Sequence, residues 1–267
     1  MKRIILLITA SIFLASCENI PQIIGEVPLI GRKQVLLVSN SDMLALSIQS
    51  YNDFLGSSTL STNTAQTALV KNVGAKIAAE VEKYLRNNKL EKEISGFAWE
   101  FNLVKDNQVN AFCMPGGKVV FYEGILPYTK DETGIAVVMG HEIAHAVAKH
   151  SNERMSQEML IQYGGALASN VLFSEKSQWF DMLYGLGTQV GVTLPFSRKQ
   201  EYEADRLGAI FMAMAGYDPN EAINFWERMS DGSTSTFDFM STHPSDANRI
   251  KELKELMPEA MKYYKNN

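Results

Sequence analysis

The sequence predicts an α+β fold that is mostly α-helical and carries one small antiparallel β-sheet. Helical spacing is clearest over residues 64–86, where apolar side chains recur at four-residue steps. Over 97–104 the pattern changes to the alternation of a strand. Two further apolar strands, 109–113 and Lys118–Tyr122, are joined by the turn residues 115–117. The sequence therefore places three short strands among longer helices.

Capping signals indicate where several of the helices begin and end. Thr129 and Glu132 have the spacing of a capping box, and Ser197 opens another helix that stops at Gly216. Pro219 suits the first position of the helix after that. The predicted helices cover residues 41–55, 64–86, 135–155, 197–215, 219–230 and 246–262.

The first residues resemble an export signal. A basic start precedes an apolar run over 4–15 that is too short to span a bilayer, and the run ends in small residues and Cys17. This ending resembles a bacterial lipobox, which predicts that Cys17 is lipidated and holds the chain at a membrane. An ordinary signal peptide or a short membrane anchor is the alternative. The expected divisions are a lipoprotein signal peptide over 1–17, a tether over 18–34 and a single domain over 35–267.

Composition excludes nucleic-acid binding as a function and bears on whether the chain can form an internal disulfide. The net charge is −5 at pH 7 and charges of both signs are dispersed, so the chain lacks the basic footprint of a nucleic-acid-binding protein. If Cys17 is lipidated, Cys113 has no partner for an internal disulfide. Residues 161–196 are apolar and rich in glycine but include charges, which fits either buried helices joined by a loop or a mobile lid.

The most informative motif lies on the predicted helix 135–155, where His141, Glu142 and His145 form the pattern H-E-x-x-H. Positions i and i+4 share a helix face, so both imidazoles can bind one ion while Glu142 lies beside them. Neutral imidazoles suit Zn²⁺, and a carboxylate that is not a ligand can accept a proton from a metal-activated water. The motif predicts one zinc site with Glu142 as general base.

A catalytic zinc site needs a third protein ligand, and the predicted helix 197–215 offers one. Glu201 and Asp205 are four residues apart and share a face, whereas Glu203 is turned about 200° away from Glu201. We expect Glu201 to be the ligand and Asp205 to accept the free N–H of a zinc-bound histidine. Alternatively, the two carboxylates form a solvated face that pairs with basic neighbours. His150 has rotated off the metal-facing stripe, and we expect it to be exposed.

These motifs together resemble the gluzincin endopeptidases of peptidase family M48. The resemblance also includes Thr242-His243-Pro244 with Arg249 and the pattern N-A-F-x-x-P-G-G at 110–117, and it extends over residues 31–250. It implies a helical zincin-like metallopeptidase core with a small antiparallel β-sheet, one zinc ion per chain and endoproteolysis of protein substrates. The expected nearest members are small bacterial periplasmic lipoproteins.

The family pattern also implies roles around the metal. It places Asn110 and Ala111 on the strand at the edge of the active site, where they would bind substrate. It places His243 and Arg249 at the rim of the zinc site. We expect zinc to hold the developing oxyanion, with His243 or Arg249 as the second donor. In some relatives the histidine that matches His243 approaches the metal and keeps the enzyme latent. Without the resemblance, His243 would be assigned to a turn before the last helix.

The sequence thus predicts a zinc endopeptidase anchored to a bacterial outer membrane on its periplasmic side, where it hydrolyses misfolded or misassembled envelope proteins. We expect peptide substrates to pair in extended form with Lys118–Tyr122 as an edge strand, unless that edge is an inert sheet margin. An alternative function is an envelope chaperone that binds unfolded proteins with little or no proteolysis, and a weaker one is zinc storage. The oligomeric state is left open.

Overall fold

The computed structural model describes residues 24–163, 184, 196–230, 238–243 and 247–264. The expected signal peptide, Cys17 and the first part of the expected tether lie outside these residues, as does most of the segment 161–196. None of the described helices combines the length and the apolar character that a membrane crossing requires.

Long helices dominate the described chain, and the strands are short. The strands are β1 (Ile24–Glu26), β2 (Lys33–Val35), β3 (Glu100–Val104), β4 (Ala111–Met114) and β5 (Lys118–Tyr122). The helices are α1 (Asn40–Ser57), α2 (Thr64–Asn87), α3 (Glu91–Ile94), α4 (Leu126–Thr129), α5 (Glu132–Val147), α6 (His150–Tyr163), α7 (Arg198–Met214), α8 (Glu221–Ser230), α9 (Asp238–Thr242) and α10 (Ala247–Ala260). The main hydrophobic core joins α2, the sheet, α5, α7 and α8. The mostly α-helical α+β class is confirmed.

The three-stranded sheet has the order β3–β5–β4, and its strand directions are mixed. β4 pairs with β5 in the expected antiparallel direction, but β3 runs parallel to β5, with Glu100 opposite Lys118. A parallel pair requires a crossover connection, which alternation in the sequence does not reveal. The expectation that Lys118–Tyr122 is an edge strand is wrong, because this strand lies at the centre. The edges of this sheet are β3 and β4.

The helix predicted over 135–155 is two helices, since α5 ends at Val147 and α6 begins at His150. Between them Lys149 has φ = 59°, in the left-handed region that commonly ends a helix. The start of α5 also differs from the prediction. Its cap is Asp131, whose side chain accepts the N–H of Gly134 at 2.9 Å, while Thr129 is the last residue of α4.

An N-terminal hairpin packs against the helices that follow. β1 and β2 pair antiparallel, and Val27 between them is fully buried. Arg32 extends from the same turn and forms ion pairs with Glu153 on α6 and Glu203 on α7. Residues 24–34, which the sequence predicts to be part of a tether, therefore contact the helical domain closely.

Helices α5 and α7 cross at two glycines. A Cβ on Gly208 would lie 2.8 Å from the backbone nitrogen of His141, and a Cβ on Gly140 would lie 2.8 Å from the Gly208 carbonyl oxygen. Real Cβ atoms do not approach backbone so closely, so only glycine allows this crossing. The close approach brings Glu201 and Asp205 on α7 against the histidines of α5.

Gly208→Ala is expected to lower the free energy of unfolding by about 1–3 kcal/mol, because the added methyl group meets backbone that cannot move aside. Thermal unfolding should show a melting temperature several degrees below that of the wild type. Gly56→Ala is the matched control, since this glycine is exposed in α1 and a Cβ added to it would meet no heavy atom within 4 Å. The control should be neutral or stabilising by up to about 1 kcal/mol. Equal stability of Gly208→Ala and the wild type would contradict the close crossing.

Candidate metal centre

Three parts of the chain bring four ligand-type side chains together in the protein interior. Helix α5 supplies His141 and His145, α7 supplies Glu201, and His243 directly follows α9. One ligand atom from each side chain belongs to a group whose members all lie within 4.8 Å of one another. All four residues are buried. The predicted ligands His141, His145 and Glu201 are thus found together.

The distances within this group fit a tetrahedral zinc site. Ligand atoms bound to a tetrahedral zinc ion lie about 3.3 Å from one another. Here Nε2 of His141 lies 3.1 Å from Nε2 of His145 and 3.4 Å from Oε2 of Glu201, and Nε2 of His145 lies 3.3 Å from Oε1 of Glu201. Two imidazoles and one carboxylate are also a donor set found in catalytic zinc sites. The residues present therefore fit a zinc ion.

His243 stands at the fourth corner of this arrangement. Its Nδ1 lies 3.2 Å from Nε2 of His141 and 3.1 Å from Oε1 of Glu201. Phe239 stacks on the imidazole with ring centroids 4.5 Å apart, and the Phe196 ring lies 5.2 Å away. The family pattern predicts His243 at the rim, whereas the structure places it against the centre, in the position that a catalytic site leaves open.

Asp205 lies where the sequence predicts it, beside the first histidine of the motif. Its Oδ1 is 3.0 Å from Nδ1 of His141, so the Nδ1–H donates to the carboxylate and leaves Nε2 free to bind a cation. Arg249 holds the other side of Asp205, with Nε donating to Oδ2 at 2.5 Å and Nη2 to Oδ1 at 2.8 Å. Nη1 of Arg249 also lies 2.8 Å from Oε2 of Glu201.

This geometry gives Arg249 a different role from the one expected. The guanidinium is buried, contacts two carboxylates and stacks over the Trp226 ring at 3.5 Å from its centroid. A group held in this way positions Asp205 and Glu201 and does not face an incoming substrate. The assignment of Arg249 as a donor to the oxyanion is therefore replaced by a positioning role.

Charges around the cluster favour the ionised forms of the ligand Glu201 and of its neighbour Asp205. Burial acts to raise the pKa of Glu201, but Arg249 and His243 outweigh it and hold the pKa well below its ordinary value. Burial acts on Asp205 in the same way, and Arg249 again lowers the pKa of that carboxyl. Burial would lower the pKa of His141, but its hydrogen bonds to Asp205 and Glu201 raise it to about 9. Ionised carboxylates are the partners that a buried divalent cation requires.

Glu142 lies beside the cluster without belonging to it. Burial raises the pKa of its carboxyl, while His243, His141 and the backbone N–H of Cys113 lower it. Among the described residues no group donates a hydrogen bond to its buried Oε1, and Nε2 of His243 lies 3.4 Å away. A buried carboxylate oxygen without a donor is suited to accept a proton from a water or substrate group.

The expectation that His150 is exposed is wrong. The side chain is fully buried, and its Nδ1 lies 2.9 Å from Nδ1 of His145. On its other side, Nε2 lies 3.0 Å from Oε2 of Glu203. The left-handed residue Lys149 redirects the chain, so His150 does not follow the helical phase of α5. Glu203 does face away from the cluster, as expected, but it reaches the second histidine through His150.

Asn110 and Ala111 lie at the start of the edge strand β4, which borders the site. The side-chain oxygen of Asn110 accepts the N–H of Ala111 at 2.9 Å, and its carbonyl oxygen accepts the N–H of Tyr122 at 3.2 Å. Cys113, two residues after Ala111, contacts Glu142 through its backbone N–H. The strand next to the general base is therefore β4.

Comparison with known proteins gives one family match. The model of peptidase family M48 matches residues 72–257 of this chain. The mitochondrial metalloendopeptidase OMA1 of Schizosaccharomyces pombe is 42% identical over 171 residues, which are 62% of this chain and 49% of that protein. Human OMA1 is 28% identical over 251 residues, 88% of this chain and 46% of its own.

A bacterial relative is also similar. The beta-barrel assembly-enhancing protease of Escherichia coli is 29% identical over 165 residues, which are 58% of this chain and 34% of that protein. The chain thus spans half or less of the length of each of these three relatives.

Proposed function

Because the chain belongs to peptidase family M48, we propose that it is a zinc-dependent endopeptidase whose ion is held by His141, His145 and Glu201. The observation that carries the proposal is the buried cluster of three facing ligand atoms next to the carboxylate of Glu142. Two imidazole nitrogens 3.1 Å apart, both directed at a carboxylate, are arranged as the ligands of one cation. Peptide bonds of proteins are the proposed substrate.

The chain's own residues supply the proton transfers and the alignment. Bound zinc would act as a Lewis acid and would make a water molecule nucleophilic near neutral pH. Glu142 is placed to accept a proton from the attacking water and to return it to the leaving amine. Burial raises the pKa of Glu142, which brings the carboxyl closer to the pH at which both transfers are efficient. Asp205 orients His141 through its Nδ1–H, and Arg249 orients Asp205.

We further propose that substrates bind in extended form along the outer edge of β4. Among the described residues β4 pairs with one strand only, β5, and its Cys113 contacts Glu142. A peptide added at this edge would pass the general base. Pairing of backbone with backbone tolerates many sequences, which suits a protease that acts on unfolded chains.

His243 is proposed to keep the site latent until it moves away. In the described conformation its Nδ1 fills the corner that water and substrate need, so cleavage requires displacement of this side chain. His243→Ala is expected to increase the cleavage rate of an unfolded substrate. The increase should be about tenfold or more if His243 has left the fourth corner in fewer than about one wild-type molecule in ten. Ser241→Ala, an exposed neighbour, is the control and should leave the rate unchanged. A lower rate for His243→Ala would instead assign this residue to oxyanion stabilisation.

The proposed location is the periplasmic side of a bacterial outer membrane, with lipidated Cys17 as the anchor. The support for it is the lipobox-like ending of residues 1–17. One relative is named as a protease that enhances β-barrel assembly, which agrees with a role in the envelope, whereas others are named as mitochondrial. The proposed substrates are therefore misfolded or misassembled envelope proteins.

Incubation of the full chain with an unfolded protein tests the proposed activity. The zinc-loaded chain is expected to cut casein and an unfolded outer-membrane β-barrel protein at internal bonds, with fragments identified by mass spectrometry. Removal of zinc with a chelator should stop cleavage, and added zinc should restore it. Suppression of aggregation without any cleavage would favour the chaperone alternative, and zinc binding without either effect would favour storage.

A further inference from the structure

We propose that Arg32, Glu203 and His150 form a positioning chain that sets the tautomer and orientation of His145. The proposal rests on the proposed zinc site and adds three residues that are neither proposed ligands nor direct partners of His141. They come from three separate elements: the turn between β1 and β2, helix α7 and helix α6. The chain of contacts begins in the N-terminal hairpin and ends at a ligand atom.

The first step concerns the two histidines. Nε2 of His145 faces Glu201 and His141, while its Nδ1 lies 2.9 Å from Nδ1 of His150. A neutral imidazole has one donor and one acceptor nitrogen. To bind a cation through Nε2, His145 must carry its proton on Nδ1. The Nδ1–H of His145 then donates a hydrogen bond, and Nδ1 of His150 accepts it.

The second step joins His150 to a carboxylate. If Nδ1 of His150 accepts, its proton is on Nε2, which lies 3.0 Å from Oε2 of Glu203. An ionised carboxylate can only accept hydrogen bonds. An ionised Glu203 therefore favours the tautomer of His150 that in turn favours the ligand tautomer of His145.

The third step gives Glu203 a cationic partner that fixes its position. Arg32 donates through Nε to Oε1 at 2.5 Å and through Nη2 to Oε2 at 2.9 Å, the two-point geometry that guanidinium gives with carboxylates. Arg32 is itself held by Glu153 at 2.6 and 2.7 Å. Gln200 donates to Glu153 from the first turn of α7.

The two histidine ligands are thus supported in parallel ways. His141 donates directly to Asp205, which Arg249 holds. His145 donates to His150, whose partner Glu203 is held by a second arginine. An arginine–carboxylate pair therefore supports each histidine ligand. The pair contacts His141 directly, whereas His150 lies between the pair and His145.

A comparison of zinc affinities tests this chain of contacts in the full-length protein. Zinc dissociation constants are measured by competition with a chromophoric chelator, and kcat and KM are measured on casein. Glu203→Gln replaces an obligate acceptor with an amide that can donate to His150, and Arg32→Gln removes the charge that holds Glu203. Both are expected to weaken zinc binding by about 10–100-fold and to lower kcat with little change in KM.

Three further variants separate positioning from general stability. Glu203→Asp and Arg32→Lys keep the charge, and each is expected to bind zinc more tightly than the corresponding glutamine variant. Arg206→Gln removes an exposed arginine–carboxylate pair between α7 and Glu259 and should leave both zinc affinity and kcat unchanged.

The outcomes distinguish this proposal from the proposed function. A wild-type chain that binds no zinc overturns the metal site itself. A wild-type chain that binds zinc, with equal affinity in Glu203→Gln and Arg32→Gln, overturns the positioning chain and leaves the metal site standing. If one glutamine variant does not fold, the zinc affinity of the other decides, and an affinity equal to that of the wild type counts against the proposal.

Discussion

Glu142→Gln is expected to lower kcat/KM of the zinc-loaded chain on an unfolded protein by about 10²–10⁴-fold. The amide cannot accept a proton from water and return it to the leaving amine, whereas the volume of the side chain is kept. Zinc affinity should remain within a few-fold of the wild-type value, because Glu142 is not one of the clustered ligand atoms. Kinetics and chelator competition on the same preparation measure both quantities.

The control for this variant lies on the same helix. Glu132→Gln changes a carboxylate in the first turn of α5 that accepts a hydrogen bond from Tyr217 at 2.6 Å, away from the metal cluster. It is expected to retain wild-type kcat/KM. Undiminished cleavage by Glu142→Gln would remove the assignment of Glu142 as general base.

Arg249→Met is expected to lower the free energy of unfolding by about 3–5 kcal/mol, because it leaves two buried carboxylates without their cationic partner. Arg249 is 1% exposed and contacts both Asp205 and Glu201. Urea unfolding of the metal-free chain measures the loss. Zinc affinity should also fall by about 10–100-fold, because the partner that orients Asp205 is gone.

A second site on the same helix gives the comparison. Lys254→Met removes an ion pair with Glu227 in which both side chains are about half exposed, and the expected change is at most about 1 kcal/mol. Similar unfolding free energies for the two variants would show that the buried pair contributes no more than a surface one.

The parts of the site that depend on one helix at a time follow from the sequence. Positions i and i+4 lie on the same face of any α-helix. His141 and His145 therefore share a face of α5. Glu201 and Asp205 share a face of α7 for the same reason. The capping box at Ser197 fixes the start of α7 and is present, with Gln200 as its partner. Such features need no knowledge of tertiary structure.

The features that the sequence does not reveal all depend on how elements meet. The helical pattern predicts that His150 follows the phase of one long helix, but the left-handed backbone of Lys149 resets that phase. Arg32 reaches Glu203 across 171 positions, and no local pattern signals such a contact. The parallel direction of β3 likewise follows from the crossover and not from the strand itself. The sequence does show that Glu203 lies on the face of α7 opposite Glu201, and this is a sign that Glu203 has a partner of its own.

The central claim is that one zinc ion bound by His141, His145 and Glu201 makes this chain a protease. Zinc titration of the metal-depleted full chain, with casein cleavage followed at each addition, tests it most directly. The rate is expected to be zero without metal, to rise with added zinc and to level off at one equivalent per chain. Cleavage by the metal-free chain, or no cleavage by either the wild type or His243→Ala after one equivalent has bound, would contradict the claim.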